Sequence, residues 1–460
     1  MSPTCGELAR DCGGDLRGPA ETRISGVSTD SRDLAPGALF VALSGEHFEG
    51  HEFVDQARAA GAAALLVSRD VESGGLPTIR VRDTLVALGD LARARRERFR
   101  GPVIAITGSN GKTTTREMCA SILTESGHRV RRSPRNFNNE VGAPLTVLGL
   151  RRGDSALVVE LGMNHPGEID RLARIVSPDV GAITQIAPAH LGPLGSLEAI
   201  AAAKGELLAR IRPAGSAVLN ADDPRVLELG VRFSGRRTLF GLAPDAEIRA
   251  GRIEVCPRGL EFDLSTPEGG VRIAISGLGR HLVSNALCAV AAARATGLGG
   301  QALLQASRDG LARFVPVAGR LEPREGAGGV LWIDDTYNAN PVSVEAALQA
   351  LREVSGSGRR IAVLGDMLEL GSDEAELHAG TGTAAARARV AVLVCVGERS
   401  RHTGRAARAA GVPETVCVDS SEAAVRELGK RLTRGDVVLV KGSRAMRLEE
   451  IVEALSREPR

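Results

Sequence analysis

"VIAITGSNGKTTTREMCASILTESG", Val103 to Gly127, decides the fold. Four apolar residues enter a turn that holds Gly108 and Gly111, and a run of helix formers leaves it, the pattern of a buried strand, a tight turn and a helix. Such a turn aims backbone amides and the positive end of a helix at one point, where a phosphate group fits. Gly108, Ser109, Asn110, Gly111, Lys112, Thr113 and Thr114 are therefore candidate nucleotide-binding residues. Lys112 is expected at the β and γ phosphates, and Thr113 at Mg²⁺. The longer Gly-x-x-x-x-Gly-Lys form would need glycine at Ile106, so the match is to a shorter Gly-x-x-Gly-Lys-Thr form. A chance Gly-Lys-Thr turn is the alternative; the strand before it and the helix after it favour phosphate binding.

Outward from this stretch, "SALVVEL", "VGAITQI" and "SAVLN" read as further strands separated by helical runs, and "HLVSNALCAVAAARATG" closes the unit. That alternation predicts a mainly parallel sheet with helices on both faces. Before Gly101, "ALFVAL", "AAALLVS" and the charged helix "LGDLARARRERF" form a smaller α/β unit. After "FVPVAGRLE" the alternation restarts with "GVLWIDD", "RRIAVLGD", "AVLVCVGE" and "GDVVLVKGS", predicting a Rossmann-like C-terminal unit with ligand-binding loops at its strand ends. The expected class is α/β with three domains: 1–100, a P-loop ATPase domain at 101–316, and 317–460.

Composition narrows the function classes. With 58 basic and 56 acidic residues the formal charge is +2, so no global field recommends nucleic acid or an anionic membrane. The seven cysteines are scattered with no CxxC pair, which reads as reduced cytosolic thiols. "MSPTCGELARDCGG" carries charges where a signal peptide needs an apolar core, and no run approaches the ~18 apolar residues that span a bilayer. A soluble cytoplasmic protein with no nucleic acid partner and no membrane insertion is expected.

Other residues carry chemistry less plainly. "SALVVEL" ends at Glu160 and Leu161, and an acid at such a strand end, downstream of a phosphate-binding turn, serves the metal in nucleotide hydrolases of this topology. His190, in "APAHLGPLGS", is a candidate metal ligand. Lys204, in an Ala-rich helix, cannot ligate a metal as an ammonium and would need modification or a purely electrostatic role; a solvated helix lysine is the alternative. "NFNNEVGAP" clusters amides, Asn138 and Asn139 among them, that line a phosphate or substrate channel or else cap a helix.

"AITGSNGKTTT", "NFNNEVGAP", "VVELGMNHPGEI", "AHLGPLGS" with "AKGE", and "DDTYNANP" occur in the order found in the Mur ligases, which the sequence resembles over most of its length. The resemblance implies an ATP-dependent amide-forming enzyme of peptidoglycan synthesis, monomeric, with two Mg²⁺ ions and a carbamate on Lys204. It implies that Lys112, Glu160, His190 and Lys204 form the catalytic set, the metals being served by Thr113, Glu160, His190 and the Lys204 carbamate, with Asn138 and Asn139 near the reacting groups. It places Asn285, Arg320, Asp335 and Asn338 near adenine and ribose, with Tyr337 and Asn340 in the same loop. Ser28, Asp30, Ser31 and Arg32, in "STDSRDLAPGALFVALSGEHFEGHEF", match the UDP-sugar-peptide segment, although Glu49 and Glu52 stand where relatives usually have aspartates. "DDTYNANP" is similar to the loop of the family member that adds D-Ala-D-Ala to UDP-N-acetylmuramoyl-tripeptide, and the Asp-Asn-Pro-Arg motif of the sister ligase that adds the third residue is missing. "LGDMLELG" and "VLVKGSRAMRLEEIV" resemble segments on the dipeptide side, where Lys441 and Arg444 are expected to hold its carboxylate.

Overall fold

The computed structural model describes residues 2–45, 48–188, 195–256, 259–354 and 358–456, and it divides into two compact units. The first comprises Met1–Thr107, Gly127–Ala182 and Glu206–Ala217, and the second Gly108–Ser126, Ile183–Gly205 and Val218–Arg460.

The first unit opens with a five-stranded sheet in the order Asp15–Arg17, Thr78–Arg80, Ala64–Val67, Leu39–Val41, Val27–Ser28, parallel except at Asp15–Arg17. Alternation along the strands feeds two cores: Leu39, Val41 and Leu66 face Leu88 and Leu91 of helix Thr84–Arg98, while Phe40, Leu65 and Val67 pack with Val54 and Ala57. Asp83 starts that helix by accepting from the Leu85 and Val86 amides. Near its end the buried Arg96 donates to the Val176, Ser177 and Phe99 carbonyls and pairs with Asp179 at 2.9 Å. The same unit holds Val103–Thr107, parallel to Ala156–Glu160, which is parallel in turn to Val130–Arg132. Val103–Thr107 and Ala156–Glu160 are apolar up to their last residue and buried along their whole length, the reason they read clearly in the sequence.

In the second unit helix Lys112–Glu125 packs against His281–Ala295 and Gly300–Ala312. The contact is close at Gly310, where an added Cβ would lie 2.7 Å from the Ile122 Cα, and Ser121 donates to the Gly310 carbonyl. Strand Arg236–Gly241 pairs parallel with Ile248–Cys256, which continues antiparallel through Gly259–Thr266 to Gly269–Ser276. The sequence reading anticipated a mainly parallel sheet with helices here and named no strand in this stretch. The meander escaped it because much of Ile248–Cys256 is exposed and the strand interleaves arginine and glutamate with its apolar residues.

The C-terminal sheet has the order Glu322–Glu325, Leu331–Asp335, Val437–Lys441, Arg360–Gly365, Val392–Val396, Glu414–Val418, parallel except at its first strand. Ile333, Leu364, Leu393 and Leu439 pack with Val344, Leu348 and Leu351 of helix Pro341–Glu353. Trp332, Val363, Val438 and Val440 point to the other face, against Leu428, Ile451 and Val452. A doubly wound layer results, as expected from the alternation.

Candidate active site

The turn between Val103–Thr107 and helix Lys112–Glu125 has the phosphate-cradling form. Gly108 and Gly111 have φ values of 146° and 83°, and added Cβ atoms would lie 1.9 Å from Thr184 Oγ1 and 2.2 Å from Asn285 Oδ1. Only glycine meets both demands. The turn is braced: the Ser109 amide donates to the Gln185 carbonyl, Ser109 Oγ donates to the Ala187 carbonyl and accepts from its amide, and Thr184 Oγ1 donates to the Asn110 carbonyl at 2.6 Å. Lys112 Nζ folds back onto the Gly108 and Ser109 carbonyls at 2.7 and 3.3 Å.

The C-terminal sheet contributes to this turn within the same unit. Asn340 Nδ2 donates to Asn110 Oδ1 at 2.8 Å, and Arg320 Nη2 donates to Thr113 Oγ1 at 3.1 Å. Arg320 also lies over the ring of Tyr337, the chain's one tyrosine, at 4.2 Å from its centroid. Asp335 is buried, pairs with Lys441 at 2.7 Å and accepts from the Leu321 amide. Burial raises its carboxyl, against the pull of Lys441 and Arg320. Asn338 offers its carbonyl to Lys441 Nζ at 2.8 Å, while Asn340 caps helix Pro341–Glu353 through the Ser343 amide. Asp335, Tyr337, Asn338 and Asn340 of "DDTYNANP" thus each have an anchor of their own.

Lys204 is only 2% exposed, so the solvated reading fails. Burial, and then the charge of Lys112, push its ammonium well below the usual lysine range, toward the neutral amine.

In the first unit Glu160 is buried at its strand end, its amide donating to Ser133 Oγ and its Oε1 accepting from Asn138 Nδ2 at 2.8 Å. Its neighbour Asn139 behaves differently: its Oδ1 accepts from the Val141 and Gly142 amides, the helix-capping alternative, so that oxygen is committed to backbone rather than facing a substrate. Arg32 makes a bidentate pair with Asp30 at 2.9 and 2.7 Å, and this contact holds the carboxyl down at about 2. The Arg32 side chain is 80% exposed. Ser28 Oγ donates to the Asp30 carbonyl, and the buried Ser31 hydroxyl donates to Gln56 Oε1 at 2.8 Å.

One expected role needs correction. Lys441 is 2% exposed and committed to Asp335 and Asn338, so in this arrangement it fastens the Asp335 loop instead of offering a free cation to a dipeptide carboxylate. Arg444 is exposed and pairs with Glu449 at 2.8 Å. His190 lies outside the described residues. Residues that the sequence reading passed over include Thr184, whose carbonyl accepts from Asn220 Nδ2, and Asp223, which accepts from the Ile186 amide at 2.6 Å. Their signal was present: Thr184 directly follows the buried run "VGAI", and Asp223 lies in the polar stretch that begins with Asn220 after "SAVL", where doubly wound sheets place functional loops.

The second unit fits a nucleotide. The glycine cradle leaves room for phosphate against backbone, and the buried Asn110 Nδ2 and Arg320 Nε are donors without a partner. Among the described residues no three His, Cys, Asp or Glu side chains gather as a metal cage. Mg²⁺ does not require one, since it takes one or two carboxylates together with phosphate oxygens and water.

Strand, glycine cradle and anchored C-terminal loop define an ATP-dependent ligase of the three-domain type, and the chain belongs to the Mur ligase family. The models for the Mur ligase family catalytic domain, the Mur ligase middle domain and the Mur ligase glutamate ligase domain match residues 23–96, 106–293 and 319–444. The chain is 39% identical to UDP-N-acetylmuramoyl-tripeptide–D-alanyl-D-alanine ligase of Escherichia coli K12, over 99% of this chain and 98% of that protein. A crystal structure of MurF from Acinetobacter baumannii superposes with a TM-score of 0.90 at 34% identity, covering 99% of both chains. MurF of Thermotoga maritima in complex with ADP superposes at 0.82, with 29% identity over 94% of this chain and 96% of that one.

Proposed function

We propose that this chain joins D-Ala-D-Ala to UDP-N-acetylmuramoyl-tripeptide at the expense of ATP, giving the pentapeptide precursor of peptidoglycan, ADP and phosphate. The observation that carries the reading is the direct bonding of the C-terminal loops to the phosphate-cradling turn and the helix that follows it, through Asn340 of "DDTYNANP" to Asn110 and through Arg320 to Thr113. The similarity to the Escherichia coli ligase over nearly the whole of both chains supports the substrate pair.

A carboxylate does not condense with an amine in water, so it must first become a better electrophile. The γ-phosphoryl group of ATP passes to the terminal carboxylate of the tripeptide, and Lys112 offsets negative charge as it transfers. The dipeptide amine then attacks the acyl phosphate, and phosphate leaves the tetrahedral intermediate. Asp335, Asn338, Arg320 and Asn285 hold the nucleoside end of ATP. Ser28, Asp30, Ser31 and Arg32 serve the UDP-sugar peptide, Asn138 lies beside Glu160 near the reacting carboxylate, and Arg444 serves the dipeptide carboxylate.

Thr113, Glu160 and His190 would hold two Mg²⁺ ions, which supply neutralisation of the phosphate charge when bound. Burial pushes Lys204 toward the neutral amine, the form that adds to CO₂, and the resulting carbamate would supply anionic oxygens to the metals. Among the described residues no helix is long and apolar enough to cross a membrane, and the reading is of a cytoplasmic monomer.

The test is phosphate release from ATP with UDP-N-acetylmuramoyl-tripeptide, with and without D-Ala-D-Ala, following the nucleotide peptide by mass. Release that needs both substrates, with a gain of one dipeptide less water, supports the assignment. Release without either substrate, or no release with both, overturns it.

A further inference from the structure

The described cysteines outside the proposed chemistry include one pair, Cys395 and Cys417, brought together by the C-terminal sheet. Strands Val392–Val396 and Glu414–Val418 run parallel, and Cys395 and Cys417 are direct partners in their register. In-register residues of neighbouring parallel strands point to the same face, and the strand spacing of about 4.8 Å sets their Cα atoms within the span that a disulfide bridges. Both sulfurs converge on one point of helix Ser400–Ala409: a Cβ added to Gly404 would lie 2.7 Å from the Cys417 Sγ and 3.3 Å from the Cys395 Sγ. Glycine at that position leaves room for both sulfurs beneath the helix.

The two are unequal. Cys395 is fully buried and Cys417 partly exposed, and both are free thiols. The neighbouring Cys395 thiol, with Arg408, Arg401 and Arg405 nearby, holds the Cys417 thiol below the usual range, while the same pairing and burial push Cys395 up. A partly exposed thiol of lowered pKa beside a buried one is the arrangement of an attacking and a resolving cysteine.

We propose that Cys395 and Cys417 form a redox-sensitive dithiol, in which a peroxide oxidises Cys417 and Cys395 closes a reversible disulfide between the two strands. The Cys417 thiolate attacks the peroxide, breaking its O–O bond, gaining one oxygen as sulfenic acid and releasing hydroxide that is protonated to water. Cys395, giving up its proton, attacks the Cys417 sulfur and displaces the hydroxyl, which leaves as a second water. Two thiols are thereby oxidised by two electrons and one hydrogen peroxide is reduced to two waters.

The experiment exposes the full-length, reduced protein to a modest excess of hydrogen peroxide, blocks remaining thiols, and maps peptides without reduction. Trypsin places the two cysteines in separate peptides, residues 390–399 and 409–426. The expected result is a cross-link between these peptides, loss of two of the seven free thiols and of two hydrogens from the intact mass, and full reversal by dithiothreitol. With Cys395→Ser, the sulfenic acid on Cys417 should persist and be trapped by dimedone. Peroxide that leaves Cys417 and Cys395 unlinked in the wild-type chain, or that oxidises other cysteines first, overturns the proposal. The wild-type map decides this even if a variant folds poorly.

Discussion

Asn340 does two things at once, and the two can be separated by substitution. Its Oδ1 caps helix Pro341–Glu353 at the Ser343 amide, at 2.9 Å, while its Nδ2 donates to Asn110 in the phosphate-cradling turn. Serine is as good a cap as asparagine, but it has no amide to extend toward Asn110. Asn340→Ser should therefore keep the helix start and lose only the link. The lost neutral hydrogen bond is worth about 0.5–1.5 kcal/mol, which corresponds to about a 2- to 10-fold weaker affinity for ATP if the bond holds the turn ready for phosphate. Asn340→Ala removes the cap as well, at about 1 kcal/mol, so hydrogen exchange of the Ser343 amide should speed up about fivefold in that variant only. The assays are titration with a fluorescent ATP analogue and amide exchange read by mass spectrometry. If Asn340→Ser binds nucleotide like the wild type, the link is incidental. If it frays the helix as Asn340→Ala does, Asn340 is a cap and nothing more.

Three further outcomes are expected. Lys204→Arg, which keeps a cation but cannot accept CO₂, should lose about 100-fold or more in kcat, and the wild-type chain in ¹³C-bicarbonate should show a carbamate signal by NMR that the variant lacks. Without CO₂, the depressed ammonium of Lys204 means that the unfolded chain binds the extra proton below the usual value of 10.5, so the folded state gains stability as pH rises. Lys204→Met should then melt higher than the CO₂-free wild type, by a margin that grows as pH falls; a constant margin would refute the assignment. Arg96→Met leaves three carbonyls and Asp179 without their buried donor and should cost about 3–5 kcal/mol, read as a lower melting temperature for the first unit with the C-terminal sheet unaffected in hydrogen exchange.

What the sequence made legible follows from how locally each feature is determined. The strand, turn and helix at Val103–Glu125 are carried by consecutive residues, and continuous apolar runs mark strands buried on both faces. Ile248–Cys256 is half exposed, so its pattern is diluted and the meander was missed. Site residues were legible as types but not as pairings, because a pairing depends on register. Lys441 follows "VVLV" at a strand end and reads as a basic residue placed to hold a substrate carboxylate. The register sets it directly beside Asp335 on the neighbouring parallel strand. Two opposite charges brought together there, in a buried position, must satisfy each other, since either one left alone would cost several kcal/mol. The same logic separates Asn138 from Asn139: adjacent amides with the same chemistry end on a buried carboxylate and on a helix start, 22 and 3 residues away along the chain. A motif therefore names the groups that a site can use, while the register and the turns decide which of them remain available to a substrate and which are committed to holding the others in place.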